Sequence, residues 1–195
     1  MILQALEEYY ENLLQQGKVA KAGWCQAKVS HVIELNEDGT IKGIVSLKQE
    51  EERVKKKVLI APMIFVPEMV IRSSGISANF LCDNAKYLLG IDEDGTKPRI
   101  MDCFLAAKDK HLSILGKGKG AMAKAICAYF RNWNPKTAKE NPILREYWEE
   151  LNEGGNIIFG MRALEAQEDD EIKALWEEAR NTESNEQQGI CLVTG

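Results

Sequence analysis

The most constraining feature of this chain is an alternating run near its start. Val29, His31, Ile33 and Leu35 share one side of a period-two pattern across residues 28–35. That spacing predicts a half-buried strand. Asn36-Glu37-Asp38-Gly39 follows, and its Asp-Gly pair supplies the positive φ of a tight reversal. Residues 41–47 then read as a return strand. Together they predict a β-hairpin, whose apolar face requires something to cover it.

Residues 2–16 carry Ile2, Leu3, Leu6, Tyr9, Tyr10, Leu13 and Leu14 on a helical period, ending near Gly17, so an amphipathic helix is expected there. Glu50–Glu52 and Lys55–Lys57 read as a solvated loop before a strand at 58–60. Pro62 and Pro67 limit regular pairing there, to an edge or an irregular crossing. Residues 66–71 read as extended and 72–79 as a polar loop. A helix is expected over 80–89, capped by Ser77 or Asn79 and closed by Gly90. Asp92-Glu93-Asp94-Gly95 predicts a second turn. Beyond it helices dominate, over 99–115, 121–133 and 142–151. A short strand is expected over 156–161 and an acidic helix over 168–180. The tail 189–195 reads as a strand beginning, which suggests a piece of a longer polypeptide.

The order of these elements predicts an α+β fold: a small, mostly antiparallel sheet from the N-terminal part and a helical cluster from the C-terminal part. Residues 1–96 are the mainly β portion and residues 97–195 the mainly helical one, within one folded unit. A regular βαβ alternation is absent, which disfavours a doubly wound nucleotide-binding fold.

A formal net charge of −5 over 195 residues argues at first against nucleic acid. The total hides a partition. Residues 1–96 carry net −3, residues 97–139 net +8 and residues 140–195 net −10. Such asymmetry is a partner signal. The basic block holds Lys97, Arg99, Lys108, Lys110, Lys117, Lys119, Lys124, Arg131, Lys136 and Lys139, with Tyr129, Phe130 and Trp133 interleaved. Charge with aromatics suits a nucleic-acid strand. The helical spacing of Phe130 and Trp133 assigns those rings to the core instead.

Several chemistries lack support. His31 and His111 are 80 residues apart with no ligand-spaced partner, so no metal site is indicated. His31 reads as a half-buried strand residue and His111 as a helix-surface one. The segment Gly116-Lys117-Gly118-Lys119-Gly120 matches neither phosphate-loop pattern. Its small residues, lysines and following helix N-terminus suit contact with a nucleic-acid backbone and equally suit a flexible interhelical loop. No nucleophile elbow or general-base pair stands out, and no cofactor is called for. Five cysteines without a close pair, and no secretory leader, fit a reduced cytoplasmic protein. No apolar run is long enough to span a membrane.

The loop Arg72–Asn79 gathers donors of the types that meet DNA grooves, but taken alone it reads as a turn with an N-cap. Here a resemblance carries the reading further. The opening Met1-Ile-Leu-Gln-Ala-Leu6 with Tyr9-Tyr10, the block Arg72–Gly90 and the closing Gly189–Gly195 resemble the large subunit of the type I-C CRISPR surveillance complex, Cascade. The block R-[ST]-S-G-I-x-x-N-F-L-x-D-N is the most specific part, and Cys82 stands where relatives often carry tryptophan. The resemblance implies a non-enzymatic subunit that senses the protospacer-adjacent motif in duplex target DNA and helps open it, with sequence read by guide RNA. The implied partners are duplex DNA, the 5′ handle of the CRISPR RNA, the Cascade backbone subunits and a helicase–nuclease recruited later. Carried onto this chain, Arg72, Ser73, Ser74 and Asn79 are the candidate motif-sensing loop, with Asn84 and Lys86 beside it. Phe80 and Asp83 are expected to fix the block structurally. Lys117, Lys119, Lys124 and Arg131 are candidate DNA-backbone contacts by charge pattern alone. The acidic C-terminal third is expected to face protein or solvent. The rival readings are a CRISPR RNA-handling endonuclease and a purely structural subunit.

Overall fold

The computed structural model describes residues 2–53, 56–93 and 97–186. The last residues of the 92–95 turn and the strand expected at 189–195 lie outside them. The fold is α+β, with a small sheet on one side and separate helices on the other.

The predicted hairpin forms. β1 (Trp24–Leu35) pairs antiparallel with β2 (Ile41–Ser46), and Gly39 turns the chain at φ +82°. β3 (Gln49–Arg53) and β4 (Lys56–Ile60) form a second hairpin where the charged stretch predicts a loop. Glutamates of its first strand lie across from the lysine-led second strand, and Lys57 Nζ lies 2.8 Å from Glu50 Oε2. β5 (Met63–Pro67) pairs with the first half of β1, and Pro67 ends it opposite Trp24. β6 (Asn156–Met161) runs parallel to β1, and β7 (Leu164–Glu165) closes the order β2-β1-β6-β7. The sheet is thus mostly antiparallel, but its centre is one parallel pair joining the two halves of the chain.

One expectation about β1 fails. Val29 does not share a face with Ile33 and Leu35. Against β6, the register slips between Val29 and His31, so Ser30 is an extra residue. A period-two strand changes face at such a bulge. Ala27, Val29 and Val32 therefore join a small cluster with Val66, Cys82 and Ile158. Ile33 and Leu35 join the main core.

The helices cover that main face. α1 (Ile2–Gln15) is amphipathic but scarcely covered, with Ile2 79% and Leu6 58% exposed. The helix expected over 80–89 shrinks to α2 (Ala85–Leu88). Leu81 holds φ +59°, and the Cys82 amide bonds back to the Phe80 carbonyl at 2.7 Å. Both are incompatible with helix, and Asn84 is the N-cap rather than Ser77 or Asn79. α3 (Pro98–Leu115) and α4 (Ala121–Asn132) pack on each other beneath the sheet. A 3₁₀ turn spans Pro135–Glu140. The helix expected over 142–151 is two, α5 (Pro142–Glu146) and α6 (Trp148–Asn152). α7 (Asp170–Glu186) packs against α3 and α4.

Tyr129, Phe130, Phe104 and Phe159 form an aromatic centre between sheet and helices. His111 belongs to it. It is fully buried, 4.5 Å from the Phe130 ring and 5.3 Å from Phe80, not on a helix surface as its sequence context suggests. His31 is also fully buried, between Ser30 Oγ at 3.0 Å and Glu150 Oε2 at 3.2 Å.

Candidate nucleic-acid interface

The segment after β5 is shaped by one buried carboxylate. Asp83 is 1% exposed. Its oxygens accept the backbone amides of Asn79 (2.9 Å) and Asn84 (2.8 Å). Both oxygens also take the guanidinium of Arg72. Burial pushes the Asp83 carboxyl above its usual range, while Arg72 and the two amides pull it back. The Asp83 backbone is bridged to Ile157 of β6 in both directions, at 3.2 and 2.8 Å. The loop is therefore anchored to the centre of the sheet.

Two further anchors fix it. The Leu81 amide donates to His111 Nε2 at 2.9 Å, while the His111 Nδ1–H donates to the Ala107 carbonyl at 2.6 Å. Those two bonds define the tautomer. Burial lowers the His111 pKa to about 4, so the ring is neutral and accepts from Leu81. Asn79 is buried, and its Oδ1 accepts the Val70 amide at 2.8 Å. Asn79 thus shapes the loop from within and does not line its outer surface.

Arg72 is also mostly an internal residue. Besides Asp83, its Nε donates to the Ser77 carbonyl at 2.5 Å. Its guanidinium carbon lies 3.9 Å from the Tyr87 ring centre. Arg72 clamps the two ends of the loop while Ser73, Ser74 and Gly75 project at its exposed tip. Asn84 caps α2, accepting the Lys86 amide at 3.1 Å. The end of α2 is held by α4: Tyr129 Oη donates to the Leu88 carbonyl at 2.7 Å, and Trp133 Nε1 to the Leu89 carbonyl at 2.9 Å. Tyr129 and Trp133 of the basic block thus satisfy helix-end carbonyls, and Phe130 packs in the aromatic core.

These elements enclose a groove of about 460 Å³. Arg72, Ser73, Ser74, Asn84 and Lys86 line it from one segment, and Lys97 and Arg99 line it from the start of α3. Asp92 lies in the same groove and pairs with Lys86 at 3.2 Å. Five of the six sequence-derived loop candidates are thus together, and Asn79 lies behind them. Lys97 and Arg99 were visible only as part of a charge block. Their nearness to the loop comes from the packing of α3 against α2, a contact between elements that no local spacing reveals.

The four backbone candidates lie elsewhere. Lys124 and Arg131 are exposed, seven residues apart on α4. Lys117 pairs with Glu178 at 3.4 Å. The amides of Lys119 and Gly120 donate to the Glu171 carboxylate at 2.8 and 2.7 Å. The start of α4, which the sequence leaves open to a nucleic-acid backbone, is therefore filled by the chain's own carboxylate. Nor does the acidic C-terminal helix simply face away, since α7 neutralises part of the basic loop.

Among the described residues, no group of three or more His, Cys, Asp or Glu side chains is placed to hold a metal ion, and no helix is long and apolar enough to cross a membrane. Both histidines are hydrogen-bonded inside the core. The arrangement is a sheet-anchored loop presenting hydroxyls and cations, which is the chemistry of anion recognition. Residues 6–195 match the family of CRISPR-associated proteins described as Cas_Csd1, and the chain belongs to that family. No curated protein matches it.

Proposed function

We propose that this chain is the DNA-recognition part of the large subunit of a type I-C Cascade complex. In this reading it acts without catalysis in the cytoplasm and needs no cofactor. The 72–90 block senses the protospacer-adjacent motif in duplex target DNA and aids strand opening for guide RNA pairing. The CRISPR RNA 5′ handle and the backbone subunits are its neighbours, and a helicase–nuclease arrives later. The observation that supports this most is the groove itself. It joins the exposed hydroxyls of Ser73 and Ser74 to Lys86, Lys97 and Arg99, on a family member of the CRISPR machinery. Hydroxyls and cations at one surface meet phosphate and base edges alike.

The test uses the reconstituted complex and duplexes with correct and scrambled adjacent motifs. Ser73→Ala with Ser74→Ala is expected to narrow the difference in affinity between them. Lys86→Ala is expected to weaken both. Unchanged binding in both variants and in Arg99→Ala removes the groove from DNA recognition. Arg72→Ala and Asn79→Ala are poor probes, because both residues hold the loop from inside.

A further inference from the structure

Resting on that DNA-binding reading, we infer that Arg99, not Arg72, is the guanidinium of this groove that meets a DNA backbone phosphate, and that Arg72 is a positioning residue. Both line the same groove. Their chemical freedom differs. Arg72 gives two N–H groups to Asp83 and its Nε–H to Ser77. One flat face lies on Tyr87. The end-on fork is filled by Asp83, and the side-on fork is broken by Ser77. A bidentate phosphate contact needs an intact fork.

Arg99 has one. It stands one residue after Pro98 at the start of α3 and is exposed. Among the described residues its side chain makes no ion pair or hydrogen bond. The neighbouring charges of the groove do not compensate it. Asp92 is taken by Lys86 at 3.2 Å, and Asp83 lies buried behind Arg72. The groove thus holds a guanidinium with an intact fork beside the exposed hydroxyls of Ser73 and Ser74. Phosphate oxygens accept from both types of donor.

The experiment measures duplex affinity of the assembled complex at several salt concentrations, with correct and scrambled adjacent motifs. Arg99→Ala is expected to weaken both duplexes roughly tenfold and lower the salt slope by about one. Its unfolding midpoint should match the unmodified chain, and Arg99→Lys should recover part of the affinity. Arg72→Lys should instead lower the unfolding midpoint. If Arg99→Ala leaves affinity intact while the Ser73/Ser74 or Lys86 variants weaken it, the Arg99 assignment is overturned and the groove stands. If all are silent, the groove reading falls and this inference with it. Loss of motif discrimination at an unchanged salt slope would make Arg99 a base reader and overturn the phosphate contact.

Discussion

Asp83 grips Arg72 with both carboxylate oxygens from a position almost wholly out of solvent, while Arg72 keeps 22% of its side chain exposed. The acid is thus the inner half of the clamp and the base its outer half. Asp83→Ala strands a guanidinium and two loop amides at once, so it is expected to cost about 3–5 kcal/mol. Arg72→Ala should cost less, since two amides still compensate Asp83. Urea unfolding of both single variants and the double variant checks this. A coupling energy near zero would mean that the pair does not hold the loop.

His111 makes the fold sensitive to acid. Its pKa is about 4 in the folded chain and near the ordinary 6.5 when unfolded. Between these values the unfolded state binds more protons, so stability is complete above pH 6.5 and falls as pH drops towards 4. The loss is roughly 3 kcal/mol. The protonated ring can no longer accept from Leu81, so the loop should loosen first. Unfolding midpoints measured from pH 7 to 4 should fall less steeply in His111→Gln.

Two glycines separate backbone strain from crowding. Gly17 and Gly39 both hold positive φ, +64° and +82°. A Cβ at Gly17 meets nothing within 4 Å, whereas one at Gly39 sits 2.4 Å from the Tyr129 amide nitrogen. Gly17→Ala is expected to cost about 1 kcal/mol from φ alone. Gly39→Ala should cost about 3 kcal/mol or more, because helix α4 must also shift. Equal losses would show that the turn does not bear on α4.

Glu171 behaves as a cap supplied from another helix. Glu171→Ala leaves the Lys119 and Gly120 amides without their acceptor and should cost about 1 kcal/mol. Glu171→Gln should lose less, since its amide oxygen still accepts one bond. Thermal unfolding of the two variants distinguishes them. An unchanged midpoint in both would mean that water replaces the carboxylate at no cost.

Much of the fold is readable from local pattern. The hairpin expected over 28–47, α1, α3, α4, α7 and β6 all announce themselves through period and turn chemistry, though β1 begins earlier, at Trp24. What escapes is set by long-range contact. The bulge at Ser30 exists because β6 lies alongside β1, and no spacing within residues 24–35 reveals it. The helix expected over 80–89 is cut short because Asp83 bonds to Ile157 and Leu81 to His111. His111 looked exposed because its neighbours in sequence are charged. Its neighbours in space are Phe80, Phe130 and Phe159. The candidate site was half legible: the residue types of the 72–86 loop were evident, but not that Arg72 and Asn79 are spent on holding it together.

The parallel ladder between β1 and β6 also bears on the order of events during synthesis. Val32 pairs with Ile158, across a closure of well over a hundred residues. Closing so long a loop costs entropy before any contact repays it. The hairpin of β1 and β2 emerges early, but its other flank waits until residue 161 has left the ribosome. Until then β1 exposes an unpaired edge, and nascent chains stalled before that point are expected to be the ones that need a chaperone.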